Sequence, residues 1–348
     1  MPVFIIAEAG VNHNGDLGRA LAMVDAAQAM GADAVKFQTF STEKVMTRTA
    51  EKAEYQKRQT GEGSQFDMVK KLELSEADHR AIVERCGALG IEFMSTAFDA
   101  ASHELLLDLG IRRVKIPSGE ITNWPFIRQL VGAGLPVILS TGMADMKEIH
   151  EAINVIEKER LARGHMQALA EVLTVLHCTS NYPADFGDVN LRAMNSIAAE
   201  TGFPVGYSDH TLGISVATAA VALGAMVIEK HFTLDRDLPG PDHAASIEPD
   251  EFAAMVLQIR SVERALGSTV KAPAPAELGV RAVARRSVMS GRVLPAGTEL
   301  TEADVIMMRP GTGISPTELD RLIGRRLRVD VDEGEQITWE MFSDPAGA

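Results

Sequence analysis

Cysteine is scarce in this chain. Cys86 and Cys178 are the only two among 348 residues, too few for a disulfide framework and in keeping with a reducing compartment. Basic residues are outnumbered, 34 against 48 acidic ones for a formal net charge of −14, and no basic tract offsets the excess. That balance argues against a nucleic-acid partner. It leaves room for a small anionic substrate, which needs only a locally basic pocket. No apolar run approaches the roughly 18 residues that cross a bilayer. The first apolar run stops at Glu8 without a basic start, unlike a secretory leader. The expectation is a cytoplasmic protein with no membrane partner. A G-x-G-x-x-G after the first apolar run is also missing, which counts against a dinucleotide-binding open sheet.

The chain does have a regular alternation. Short apolar, β-rich runs occur at 3–7, 34–37, 91–94, 113–116, 136–139, 172–176, 204–207 and 226–228. Between them lie stretches with helical spacing, such as Leu17, Ala20, Leu21, Val24 and Ala27, or Ile149, Ala152, Ile153 and Ile156. Gly31, Gly90, Gly110, Gly134 and Gly224 each stand a few residues before a strand, where a helix needs a left-handed cap. Eight nearly continuous apolar strands, each followed by a helix, predict a (β/α)8 TIM barrel over 1–267. The stretch 268–283 contains Pro273 and Pro275 among small residues and reads as a linker. From 284 to 348, short β-like runs (287–289, 327–331) between glycine-containing turns predict a small β-rich domain, one with too little core to stand easily alone.

Chemistry in such a barrel gathers at the C-terminal strand ends. In chain order these carry Glu8; Lys36 with Gln38; Ser95 with Thr96; Lys115 with Ser118 and Glu120; Ser140 with Thr141; His177 with Ser180; Ser208 with His210; and Lys230 with His231. His210 and His231 sit at equivalent positions on two runs separated by one helical segment. Those runs are therefore neighbouring parallel strands about 5 Å apart, close enough for two imidazoles to share a divalent metal. A single strand-end histidine is more simply a hydrogen-bonded core residue, but a matched pair favours the metal. Lys36 and Lys115, flanked by hydroxyls, suit a phosphate or carboxylate, the plainer alternative being stems that snorkel to solvent. Lys230 alternates with His231 and is expected to face outward in a surface or structural role. Glu8 and Glu120 are acid–base candidates, or else partners for the lysines. His13, His177 and Cys178 read as loop or packing residues.

The motifs Ala7-Glu8-Ala9-Gly10-Val11-Asn12-His13-Asn14-Gly15, Val35-Lys36-Phe37-Gln38-Thr39-Phe40, Lys115-Ile116-Pro117-Ser118-Gly119-Glu120, Tyr207-Ser208-Asp209-His210-Thr211 and Glu229-Lys230-His231-Phe232-Thr233 stand in this order. Gly240-Pro241-Asp242-His243 and Arg309-Pro310-Gly311-Thr312-Gly313 follow. With them the chain resembles the sialic acid (nonulosonate) synthase family, whose members end in an antifreeze-like (SAF) domain. The resemblance implies condensation of phosphoenolpyruvate (PEP) with an N-acetylated mannosamine-type sugar, releasing phosphate. N-acetylmannosamine, giving N-acetylneuraminate, is the first expectation. The alternative is 2,4-diacetamido-2,4,6-trideoxymannose, giving N,N'-diacetyllegionaminate. The resemblance further implies Mn2+ (or Mg2+ or Co2+) on His210 and His231, and PEP on Lys36, Thr96, Lys115, Ser118 and Ser208. A further PEP contact comes from Ser180 or Asn181. Gln38, Tyr182 and Asp242 fall on the sugar side, and Glu8, Glu120 and Lys115 in the chemistry. Arg309 is implied to reach the partner's site in a domain-swapped homodimer. Two readings from other classes are a Schiff-base aldolase using Lys115 as nucleophile and a non-catalytic carbohydrate-binding protein.

Overall fold

The computed structural model describes residues 2–343, leaving aside the side chains of Tyr55 and Arg58. The chain divides into two compact units, Met1–Gly267 and Ser268–Ala348.

In the first unit eight parallel strands form one sheet: β1 (Phe4–Gly10), β2 (Ala34–Thr39), β3 (Glu92–Ala97), β4 (Val114–Ile116), β5 (Val137–Ser140), β6 (Leu173–Cys178), β7 (Val205–Asp209) and β8 (Val227–His231). Its order is β3-β2-β1-β8-β7-β6-β5-β4, and β3 lies beside β4, so the sheet curls into the expected (β/α)8 barrel. Most strands run one to three residues further than their apolar runs, through Glu8, Gln38, Thr96 and His231. Polar residues continue the ladder there because their side chains meet partners inside the barrel mouth.

The helices start and stop where local chemistry directs. At the start of helix Met146–Ala162 the Asp145 carboxylate accepts from Glu148 N, and the Glu148 carboxylate accepts from Asp145 N. This reciprocal cap satisfies two otherwise orphaned donors. Helix Glu76–Leu89 ends on Gly90, left-handed at φ 72°, a conformation costly for any residue with a Cβ. The other four pre-strand glycines also have positive φ.

Two apolar layers result. One lies between strands and helices, where Val35, Phe37, Tyr207, Ile228 and Phe252 are fully buried. The other fills the barrel's lower interior with Ile6, Ala34, Met94, Ile138, Leu176 and Val227. The largest departure from one helix per strand falls after β2, where three short helices, Thr42–Val45, Glu54–Thr60 and Gln65–Lys70, precede helix Glu76–Leu89; a second short helix, Leu169–Val172, follows Met146–Ala162 before β6. No helix among the described residues is long and apolar enough to cross a membrane.

The second unit pairs β9 (Ser287–Ser290) with β10 (Val305–Met308) in antiparallel register over a core of Val288, Leu294, Leu300, Leu327, Val331 and Ile337. The run 327–331 makes only isolated bridges, Leu327 to Phe342 and Val331 to Leu294. Gly324 and Gly334, both at positive φ, bracket it and turn the chain before a longer ladder can form. The stretch read as a linker, 268–283, holds all but the last residue of helix Glu277–Ala284.

Candidate active site at the barrel mouth

Successive residues of a strand point to opposite faces. One two-residue step up from the apolar plug therefore defines the next inward layer. Ile6 leads to Glu8, Ala34 to Lys36, Met94 to Thr96, Ile138 to Ser140, Leu176 to Cys178, Gly206 to Ser208 and Val227 to Glu229, while β4 supplies Lys115. Together they line a cavity of about 390 Å3.

Nearly all of this layer is buried, and its charges are arranged in pairs. Lys36 Nζ lies 2.8 Å from Glu8 Oε2 and 3.5 Å from Glu229 Oε2, and donates to Thr96 Oγ1 at 3.1 Å. Lys115 Nζ donates to Glu229 Oε1 at 3.3 Å, and Ser208 Oγ to the same oxygen at 2.9 Å. Glu229 thus joins both lysines. Burial alone would raise its pKa, but Lys115 and Lys36 outweigh that and hold it well below the usual carboxylate range. Glu8 is the opposite case: burial dominates over the pull of Lys36 and lifts it to about 7. Burial also opposes the charge on Lys36, yet Glu229 and Glu8 keep its pKa raised. Lys115 ends up lowered, burial prevailing over Glu229. The layer therefore contains one permanent carboxylate and one that exchanges a proton near neutrality.

Above it stand the two histidines, with ring centroids 5.4 Å apart. His210 Nδ1 is 2.7 Å from the Thr179 carbonyl. A carbonyl can only accept, so Nδ1 bears the hydrogen and Nε2 keeps its lone pair. His231 Nδ1 is buried and has no hydrogen-bond partner among the described residues; Asp242 Oδ2 is 4.0 Å away. Burial lowers both pKa values, that of His231 further because His210 is beside it, so both rings are neutral. The Asp242 carboxyl is raised to about 6 by burial. No group of three or more His, Cys, Asp or Glu among the described residues converges on one metal position. Two neutral imidazoles, one with an orphaned buried nitrogen, are nevertheless the donor chemistry a divalent ion takes.

The remaining candidates divide. Gln38 donates to Glu8 Oε1 at 3.4 Å, and Tyr182 packs on His210 with centroids 4.2 Å apart. Ser118 Oγ accepts from Gly142 N at 2.9 Å and lies 3.2 Å from Cys178 Sγ. Ser180 lines the cavity, whereas Asn181 is exposed and its Oδ1 accepts from Tyr182 N. Glu120 is not among the lining residues; its carboxylate accepts from Asn123 Nδ2 at 2.7 Å. Arg309 belongs to the second unit, where its exposed side chain donates to the Ala284 carbonyl. Lys230 does face away from the barrel axis, but into the strand–helix layer, fully buried 2.8 Å from Asp209 Oδ2. Its role is structural. His177 Nε2 donates to the Val189 carbonyl at 2.7 Å and does not line the cavity, while Cys178, read as packing, does. Sequence reasoning passed over Glu229, although period-two alternation back from His231 places it on the same inward face.

The comparisons with known proteins agree with this geometry. The model of the NeuB family matches residues 23–271, and that of the SAF domain residues 285–343. An N,N'-diacetyllegionaminic acid synthase from Legionella pneumophila is 51% identical over 98% of this chain and 94% of its own. One from Campylobacter jejuni is 43% identical over 96% and 98%. Among solved structures, the N-acetylneuraminic acid (sialic acid) synthetase from Leptospira borgpetersenii in complex with citrate aligns with a TM-score of 0.69. It is 35% identical, covering 80% of this chain and 90% of that one. With a family match over most of its length and relatives this similar across both units, the chain belongs to the NeuB family and carries a SAF domain at its C-terminal end.

Proposed function

We propose that the protein condenses PEP with 2,4-diacetamido-2,4,6-trideoxymannose, forming N,N'-diacetyllegionaminate and releasing phosphate. The two most similar of the relatives named above are diacetyllegionaminic acid synthases, which favours this sugar over the N-acetylmannosamine expected first. The observation that carries the reading is the pair of buried lysines joined through Glu229 beneath two neutral histidines.

In the reaction PEP C3 bonds to the sugar aldehyde carbon, water adds at C2, and phosphate leaves. Lys36, Lys115 and the hydroxyls of Thr96, Ser118, Ser180 and Ser208 surround the cavity where PEP would lie. Charge-assisted hydrogen bonds at both anionic ends of PEP align C3 with the aldehyde, and misplacement by an ångström would cost rate steeply. Ser140 Oγ, buried with no partner among the described residues, adds one more donor toward the same space. Glu8, titrating near 7, takes or returns the proton of the adding water. Glu120 is the second acid–base candidate from sequence, and its bond to Asn123 makes Glu8 the preferred one. Gln38, Tyr182 and Asp242 hold the sugar side. His210 and His231 would hold Mn2+ or a similar ion (Mg2+, Co2+), which when bound polarises the aldehyde as a Lewis acid. Chelation should therefore abolish phosphate release and Mn2+ restore it, with His210→Ala and His231→Ala each failing to retain metal. Full turnover of metal-free protein would refute the assignment.

The proposal includes a domain-swapped homodimer in which Arg309 serves the partner's barrel. Helix Glu277–Ala284 leaves Leu278, Val280 and Val283 more than half exposed in the single chain, apolar surface suited to burial in a dimer. One observation favours a second reading, the Schiff-base aldolase: burial lowers the Lys115 pKa. Borohydride trapping with pyruvate would detect it.

A further inference from the structure

Beside the charged cavity lies a second one of about 260 Å3, and the two share Gln38, Phe98, Tyr182 and His231. We propose that this second cavity, walled by Phe40, Val45, Met46, Met68, Val69 and Leu72, receives the non-reacting end of the sugar and selects methyl-bearing substituents over hydroxyls. The inference rests on the condensation proposed above and names the residues that set its sugar specificity.

A sugar whose aldehyde lies at the His210–His231 pair has its far carbons in this cavity, because His231 and Tyr182 belong to both walls. The far wall comes from the short helices Thr42–Val45 and Gln65–Lys70 inserted after β2, the kind of strand-to-helix excursion on which barrels vary their specificity. Its side chains are aliphatic, aromatic or thioether. Gln56 also lines the cavity, and its Oε1 already accepts from Ala53 N and Gln65 Nε2. A 6-deoxy carbon and an acetamido methyl would lose water favourably against such a wall. A hydroxyl against Val45, Met46, Met68 and Val69 would lose its water partners and find none on those side chains, since the polar groups Gln38 and Asp242 stand at the His231 end of the cavity. An apolar pocket rejects an added hydroxyl by about a hundredfold at most, so the selectivity is real but bounded.

The test compares kcat/KM for 2,4-diacetamido-2,4,6-trideoxymannose and for N-acetylmannosamine at saturating PEP. The variants are Val45→Thr, Val69→Thr and their double, which keep the shape and add a hydroxyl, with Met46→Gln as a further polar change and Met46→Leu as the conservative control. The wild type should prefer the diacetamido sugar. The polar variants should lower that preference roughly tenfold with the KM for PEP unchanged, and Met46→Leu should retain it. Folding is checked by circular dichroism, and the separate Met46 substitutions keep the question answerable if a threonine variant fails to fold. If polar variants lower both sugars by the same factor, or leave the preference where it was, the inference is overturned. A wild type that prefers N-acetylmannosamine also overturns it while leaving PEP condensation standing. A wild type that condenses PEP with neither sugar overturns the functional reading itself.

Discussion

Glu229 is the residue on which the electrostatics of the mouth turn. It is 3% exposed, bridges Lys36 and Lys115, and accepts from Ser208. Glu229→Gln would leave two buried ammonium groups with Glu8 as the remaining carboxylate of that layer, and Lys115 already has its pKa lowered by burial. Removing one member of a buried charge cluster costs about 3–5 kcal/mol of stability. The variant should therefore melt several degrees lower and lose at least tenfold in kcat/KM for PEP. Wild-type kinetics in Glu229→Gln would show that the bridge is dispensable. Residue chemistry was largely legible here. Lys36, Lys115, Ser208 and both histidines stand out as polar residues closing apolar runs. Glu229 was masked by its neighbours, because Glu229-Lys230-His231 places three polar residues in a row and only the strand's alternation tells which two point inward.

At the scale of an element, the turn after β5 constrains the site most tightly. A Cβ on Gly142 would overlap Ser180 Oγ and come within 2.9 Å of both Cys178 Sγ and Ser118 Oγ. The φ of Gly142 is ordinary, so the constraint is the close approach of three strand ends. Gly142→Ala should displace Ser180 and Ser118, raising the KM for PEP about tenfold or more while the barrel melts near its wild-type temperature. An unchanged KM would place PEP elsewhere in the cavity. The eight barrel strands could be placed from sequence because each is a short β-rich run followed by helical spacing. The three short helices after β2 could not, since segments of four to seven residues carry too few periodic positions to distinguish from loop.

For the molecule as a whole, buried histidines tie stability to pH. His13 is fully buried and held at about 4 by that burial, against about 6.5 when unfolded. Its folded pKa is below its unfolded one, so its contribution is complete above pH 6.5 and is lost as pH falls toward 4. In that window the slope is about 1.4 kcal/mol per pH unit. Glu8, raised to about 7, acts in the opposite direction over 4.5 to 7. The measurable quantity is therefore the difference between wild type and His13→Gln, which should show a flatter dependence of unfolding free energy on pH between 4 and 6.5. Parallel dependences would mean His13 is protonated in the native state. The exchanged-tail dimer has its own test. Mixing Arg309→Ala with His210→Ala subunits should recover up to about half of wild-type activity per dimer, because one site then combines an intact barrel with an intact partner tail. No recovery, with subunit exchange confirmed, would place Arg309 on its own barrel or outside the site.

The alternation of apolar runs and helical spacing by itself determined a (β/α)8 barrel followed by a small β-rich unit. The polar residues that end those runs determined which side chains would gather. Both follow from local chemistry, since strand period, capping and chain order are written along the chain. Only the tertiary structure decided which charges meet: that Glu229 sits between two lysines from strands 79 residues apart (Lys36 and Lys115), that Lys230 turns instead to Asp209, and that Glu8 rather than Glu229 titrates near neutrality. A carboxylate's pKa depends on how completely it is desolvated and on which ammonium groups lie within a few ångströms, and those distances exist only once the barrel closes.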